Sequence, residues 1–510
     1  MLEKTHINMA TPQEKLASSL EALKELQDKT NQLVIKGNDV LGDTHTKRLV
    51  NSGFLQEVLR GWYIPSRPGS EGDTTVWYAS YWAFISSYAQ SRFGDEWCLT
   101  PEASLSFHAG NTIIPKQLII RSPKASNNIT KLLFECSVLD ITAALPSQII
   151  KDENYGVHLY PIAEALVYCS PSFYKDSAME AQTCLSQIAD ASEILSIVAT
   201  NGNSARAGRL IGAFRQMGRE TIAEDILRRM KRLGYDVRVE NPFEQAPAMV
   251  LPQADPYSNR IRLMWESMRK DVLRIMPKEK PLLATEVILQ QIDDRYVKDS
   301  YHSLSIEGYR ITEGLLERVR DGKWNPQENA IDQEYRNALA ARGYYQSYQL
   351  VKETIKQILE GLPAGLAFDR YHQDWHFELF EPCVQANIIA PADLMGYRNH
   401  PVYIRGSRHT PLPERAVRDA MRTLCELMKE EENAIVRAIL GHFVFVYIHP
   451  YMDGNGRTAR FIMNSMLVTG GYDWVIIPTE RREEYMRALE IASVENDITK
   501  FCEFIATLLK

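Results

Sequence analysis

Between Ala434 and Ile448 the chain is largely apolar, and it then opens into His449-Pro450-Tyr451-Met452-Asp453-Gly454-Asn455-Gly456-Arg457-Thr458-Ala459-Arg460. These residues bring together an imidazole, a carboxylate, a Gly-Asn-Gly turn and two guanidiniums. Downstream, Phe461 to Leu467 reads as a helix that stops at Gly470-Gly471, a glycine C-cap signal. Glycines just before a helix leave its first N–H groups free to cradle an anion, and the helix dipole favours negative charge there. Arg457 and Arg460 are three apart and project from neighbouring positions of one helix face. The pattern is a phosphate site with a base, His449, at its lip.

Two other readings fit parts of this stretch. Gly454-x-Gly456-x-x-Ala459 matches the dinucleotide fingerprint, with His442–Tyr447 as the strand before it and Asp473 about where a ribose-binding acid would fall. The apolar run is long for a strand, however, and only about 40 residues remain beyond Gly471, too few for a series of βαβ units. A capped turn between two buried helices is the plainer reading. It leaves the convergence of His, Asp and two Arg unexplained.

The stretch resembles the signature of the Fic family, His-x-Phe-x-Asp/Glu-Gly-Asn-Gly-Arg-x-x-Arg, with Tyr451 in place of the usual Phe. A second match is Ser303-Leu304-Ser305-Ile306-Glu307-Gly308, which is similar to the family's inhibitory motif Ser/Thr-x-x-x-Glu-Gly/Asn. Read without the signature beside it, that segment is a helix C-cap with a solvated glutamate. The likeness spans about 290–510.

Composition bounds the rest. A chain of 510 residues exceeds one core, so several domains are expected. A net charge of −7 and a pI near 6.0 exclude a protein that coats nucleic acid over its whole surface. The seven cysteines are scattered without Cys-x-x-Cys spacing, which fits reduced, buried thiols. The first residues, Met1 to His6, lack the apolar core of a signal peptide, and no apolar run reaches the ~18 residues that span a bilayer. A cytoplasmic protein without membrane segments is expected.

In chain order, Leu16, Leu20, Leu23 and Leu26 recur at helical spacing in 11–29, and a second helix is predicted over 45–52. Gly53–Ile64 reads as two strands hinged at Arg60-Gly61. Helices followed by a hairpin make 1–70 a winged helix-turn-helix. For 71–175 an α+β domain is expected, with a helix from Val76 to Ile85 and strands at Gln117–Ser122 and Leu132–Cys136. Residues 12–175 resemble, diffusely, AbiE-type winged-helix antitoxins, which implies a DNA- or partner-binding module. Residues 176–250 read as helices, Ala181–Val198, Ala205–Gln216 and Thr221–Leu233, running into a proline-rich linker at Pro242–Pro256. The nine Arg/Lys against five Asp/Glu in 203–240 fit a solvated helix face better than a nucleic-acid patch. Residues 251–510 form the last domain, with the inhibitory helix near 295–308. The fold class expected is therefore mainly α. An all-helical C-terminal domain carries a β-hairpin flap at 396–409, whose β run is Val402-Tyr403-Ile404.

The Fic resemblance implies roles. His449 takes the proton of an incoming protein hydroxyl, which attacks the α-phosphorus of ATP. Gly454, Asn455 and Gly456 cradle the phosphates, Arg457 and Arg460 neutralise them, and Asp453 holds Mg²⁺. Val402, Tyr403, Ile404 and Arg405 lie along the nucleotide, and the flap docks the target by strand addition. Tyr485 sits over the base, with Ser493 where many members have Asn. Glu307, with Ser303, pairs with Arg460 and denies it to the γ-phosphate. The implied activity is AMP transfer from ATP to a Ser, Thr or Tyr hydroxyl of a protein, restrained by Glu307. The alternatives are a DNA-binding regulator whose Fic unit senses nucleotide, and an enzyme that removes AMP. Partners implied are the protein target and, through the winged helix, DNA; a homodimer is compatible with this reading.

Overall fold

The computed structural model describes residues 11–30, 34–37, 41–69, 72–201, 203–243, 249–252, 255–322 and 335–509. The fold is mainly α, with small sheets confined to the N-terminal part. The chain divides into two compact units: Met1–Ala248 with Tyr403–Thr410, and Met249–Val402 with Pro411–Lys510.

The first unit opens with α1 (Pro12–Thr30) and α2 (Asp43–Asn51) beside a three-stranded antiparallel sheet of β1 (Ile35–Lys36), β2 (Leu55–Leu59) and β3 (Trp62–Pro65), in the order β1-β3-β2. The helix face read from the leucine spacing closes this small core. Leu23 and Leu49 are buried with Ile35, Leu41 and Leu55, and Leu16, Leu20, Leu26 and Val50 pack around them. The two-residue strand β1 carried no periodicity in the sequence and is an addition to the expected hairpin.

Next comes α3 (Thr75–Phe93), an aromatic helix. Trp77, Tyr81 and Phe84 are fully buried; Trp77 meets Tyr81 and Phe84 edge-on, and Phe84 meets Trp62 of β3 in the same way. After β4 (Cys98–Leu99) and α4 (Pro101–His108), the strands β5 (Gln117–Ser122), β6 (Ile129–Lys131) and β7 (Ser137–Thr142) complete a four-stranded sheet in the order β4-β5-β7-β6. The pair β5–β7 is parallel, with Gln117 opposite Ser137. The expected strand Leu132–Cys136 is instead the tight turn between β6 and β7. Phe134 and Glu135 take positive φ (48° and 60°), and Leu132 N–H bonds Cys136 O across the turn. Its apolar residues had mimicked a strand, but they cap the core beside Tyr78.

A short pair, β8 (Ile150–Lys151) and β9 (His158–Leu159), precedes the helices α5 (Ile162–Tyr168), α6 (Phe173–Asp176), α7 (Ala178–Gln187), α8 (Ala191–Asn201), α9 (Ser204–Gln216) and α10 (Glu220–Arg232). The single helix expected over Ala181–Val198 is broken in two at 188–190. The carboxylate of Glu193 accepts the free N–H groups of Ala189 and Asp190 there. Three arginines of 203–240 are engaged within the unit: Arg215 pairs with Glu224, Arg228 with Asp225, and Arg219 donates to the carbonyls of Leu185 and Ser186. Much of the proline-rich linker lies outside the described residues, as do Met1 to His6.

Tyr403–Thr410 belongs to this first unit. Ile113 and His409 form an isolated antiparallel bridge, Ile114 N–H donates to Arg408 O at 2.9 Å, and the Arg408 guanidinium donates twice to Ile114 O. The β run expected at Val402–Ile404 has no regular strand; a turn at Arg405-Gly406 follows it.

The second unit is helical: α11 (Pro256–Ile275), α12 (Thr285–Ile306), α13 (Glu313–Arg320), α14 (Tyr335–Leu359), α15 (Ala364–Gln385), α16 (Glu414–Glu430), α17 (Ala434–Ile448), α18 (Asn455–Thr469), α19 (Arg482–Glu495) and α20 (Thr499–Ala506). The segment His442–Tyr447 is therefore the end of a buried helix and not the strand a dinucleotide fold requires. Helix α17 is largely apolar and buried along most of its length, and α18 returns alongside it, also buried along most of its length. All seven cysteines are free, and among the described residues no helix is long and apolar enough to cross a membrane.

Candidate active site

The sequence forces a break between α17 and α18. His449 caps α17 in the left-handed region (φ 54°, ψ 61°), and Gly454 caps the start of α18 at φ 84°. A Cβ at Gly454 would stand 2.8 Å from the Phe380 ring, so only glycine lets the loop pass there. The loop holds itself. Asn455 accepts the Tyr451 N–H at 2.9 Å and donates to the Tyr451 carbonyl at 2.8 Å. Its amide is thus spent on the loop, and it fixes the turn that presents the α18 N-terminus. Tyr451 is buried and lies flat on the His376 ring, with centroids 3.6 Å apart, which anchors the loop against α15.

His449 is partly buried, and burial pushes its imidazole down to about 4, so the ring is neutral at pH 7. Its Nδ1 lies 3.2 Å from the Val446 carbonyl. A carbonyl only accepts, so Nδ1 carries the proton and Nε2 keeps the free lone pair. The ring is therefore set as a base at one defined atom.

Asp453 stays about two-thirds exposed (66%) and accepts from Gly454 N–H at 2.5 Å and from Arg457 at 3.2 Å. Arg457 is almost fully buried, sandwiched under Tyr309 and Phe380 by cation–π contacts. Arg460 is 5% exposed and is claimed by α12. Its Nε donates to Ser303 Oγ at 2.9 Å, and its Nη2 donates to Ser303 O at 3.0 Å and to Glu307 Oε1 at 2.8 Å. A Cβ on Gly456 would come within 2.5 Å of the same Glu307 oxygen. The glutamate carboxylate is thus seated against the first turn of α18 and on its arginine, where a helix N-terminus accepts an anion.

Tyr485 is 1% exposed on α19, and its hydroxyl meets His442 Nε2 at 2.9 Å, while Ser493 lies on the same helix, half-buried. Val402 belongs to the second unit. Tyr403, Ile404 and Arg405 belong to the first, where Arg405 pairs with Asp73 at 3.6 Å. His376 was not picked out from the sequence. Its Nε2 donates to the Asp453 carbonyl at 2.9 Å, and burial holds its pKa near 4. Only its position, four residues before Phe380 on α15, could have suggested a ring stacked on the loop.

Among the described residues no cluster of three or more His, Cys, Asp or Glu could hold a metal ion. One exposed carboxylate beside an anion seat is a donor set that fits Mg²⁺, because Mg²⁺ keeps its waters and takes one carboxylate plus substrate phosphates.

Residues 370–467 match the Fic/DOC family. The chain is 29% identical over 223 residues to the protein adenylyltransferases Fic of Drosophila yakuba and Drosophila melanogaster, covering 42% of this chain and 40% of each relative. It thus spans less than half the length of those curated relatives. Among solved structures, Fic-1 of C. elegans aligns with 68% of this chain and 93% of its own at 18% identity and a TM-score of 0.36. A Fic family protein from Desulfovibrio desulfuricans aligns with 49% of this chain and 71% of its own at 24% identity and a TM-score of 0.32. The signature loop, the helix pair that carries it and the family match over the same residues agree: this chain carries a Fic/DOC domain at its C-terminus.

Proposed function

We propose that the chain transfers AMP from ATP to a hydroxyl side chain of a protein, and that Glu307 restrains it. The observation that carries this reading is the Glu307 carboxylate bound by Arg460 against Gly456, an anion already seated at the α18 N-terminus beside a neutral histidine. Phosphate oxygens of ATP would take that place. The target hydroxyl gives its proton to His449 Nε2 as its oxygen bonds the α-phosphorus, and the bond to pyrophosphate breaks. The N–H groups at the start of α18 and the two arginines take up the charge that develops. Mg²⁺, held by Asp453, would neutralise the phosphates when bound.

Glu307 restrains the reaction by occupation. While it holds Arg460, the γ-phosphate lacks its partner and ATP is bound out of line. An Arg–carboxylate pair of this kind is charge-assisted and partly desolvated, and so survives in competition with solvent. The relatives named protein adenylyltransferase support the direction of the chemistry.

The test is ATP labelled at either end. A Glu307→Gly chain added to lysate should increase protein label from α-labelled ATP over lysate alone and add none from γ-labelled ATP. Label added from the γ position, over lysate alone, would mean phosphoryl transfer and would end the proposal.

A further inference from the structure

Arg398 is 5% exposed, and its guanidinium is surrounded by backbone carbonyls. Nε donates to His449 O at 2.7 Å, Nη1 to His400 O at 3.1 Å, and Nη2 to Ile448 O at 3.4 Å and to Leu412 O. Its own backbone N–H donates to Pro450 O at 2.9 Å. One residue therefore takes the carbonyls of three consecutive positions, Ile448, His449 and Pro450.

Those carbonyls are where α17 ends. The last carbonyls of a helix have no partner within it and carry the negative end of its dipole. His449 is also left-handed there, a conformation that a residue with a side chain keeps only when its surroundings hold it. A guanidinium suits the task because it is permanently charged and offers five donors in a planar fork, whereas an ammonium is a single point. The remaining acceptors, His400 and Leu412, bracket the segment that leaves and re-enters this unit.

We infer that Arg398 is a positioning residue for the reaction: it holds the backbone of His449 in the left-handed turn that aims the base, and ties that turn to both ends of the 399–412 segment. This rests on the reading of His449 as the base. A structural arginine placed only for stability would not need to collect the carbonyls on both sides of that histidine.

The test uses the full chain in the Glu307→Gly background, with Arg398→Lys, Arg398→Ala and His449→Ala. The lysine variant keeps charge and stem and so carries the experiment even if the alanine variant does not fold. The expected result for Arg398→Lys is a kcat for label transfer lowered ~10–100-fold, the scale of a small misplacement of a reacting group, with the KM for ATP within about twofold of its parent. A second readout needs no activity. In protein carrying ¹³C-labelled histidine, the His449 ring resonance, identified by its loss in His449→Ala, should shift in Arg398→Lys while that of His442 stays.

An unshifted resonance together with an unchanged kcat would overturn the inference, as would a loss of kcat matched by an equal loss of ATP affinity. Transfer that survives His449→Ala would instead remove the base assignment. The resonance would still decide whether Arg398 holds that turn.

Discussion

At the scale of single residues, the proposed chemistry depends on a neutral imidazole whose proton the Val446 carbonyl holds on Nδ1. His449→Ala should lower transfer ~10²–10⁴-fold while ATP still binds, because a base is lost and the phosphate seat is not. The pH profile gives a sharper check. Only the neutral ring can act as base, and burial lowers its pKa to about 4, so the rate should stay flat as pH falls from 7 to 5. An acid limb centred near 6.5 would show a solvent-exposed ring and contradict the buried site. The signature residues were legible in the sequence because they are contiguous, and one turn needs all of them. His376 and Arg398 were not, because they reach the loop from α15 and from the start of the 399–412 segment, 77 and 51 positions away. Single-sequence spacing carries no signal of such contacts.

Among the elements, α12 is the one that the proposed restraint by Glu307 depends on. Asp299, Ser303 and Glu307 recur every four residues and so form one face. Asp299 is buried, accepting from the Trp474 indole at 2.9 Å and the Tyr344 hydroxyl at 2.7 Å, and burial raises its pKa to about 6. Asp299→Ala would leave both donors unpaired, a loss of ~1–3 kcal/mol, and would free the helix that delivers Glu307. Lower thermal stability with higher transfer is expected. Lower stability with unchanged transfer would mean that Asp299 does not set the position of α12. The inhibitory motif was readable as spacing, whereas its partner Arg460 came from the family resemblance, since spacing alone cannot join Ser303 and Arg460 across 157 positions. The β run at 402–404 misled for a similar reason. The backbone that Tyr403–Thr410 meets is Thr112–Ile114, and the single bridge formed there is too short for a strand.

On the scale of the whole molecule, desolvated histidines set the response to acid. His376, His442 and His449 are held neutral, at about 4, about 3 and about 4, against an ordinary value near 6.5. The unfolded chain therefore binds more protons between pH 6.5 and 4, and stability should fall over that window as pH drops. Asp299 works the other way, because its raised pKa makes the folded state bind the extra proton between about 4 and 6. Three groups outweigh one, so the Tm of the second unit should fall from pH 7 to pH 5; a rising Tm would show that the histidines are solvated. The helices and three-stranded sheet of the first unit motivate a proposal that it binds DNA. In a mobility shift at low salt, the full chain should bind duplex weakly and release it as salt rises, through counterion return. Absence of binding at low salt would favour a protein partner.

The seat shared by Glu307 and a phosphate makes opposite predictions for the two residues of one ion pair, which a purely structural pair would not. The deciding measurement is label incorporated from α-labelled ATP by four full-length proteins: parent, Glu307→Gly, Arg460→Ala and the double variant. The account predicts more transfer than the parent for Glu307→Gly, most visibly as self-modification. It predicts less for the double variant than for Glu307→Gly, because Arg460 holds the γ-phosphate during attack. A Glu307→Gly chain no more active than its parent, or a double variant as active as Glu307→Gly, would contradict it.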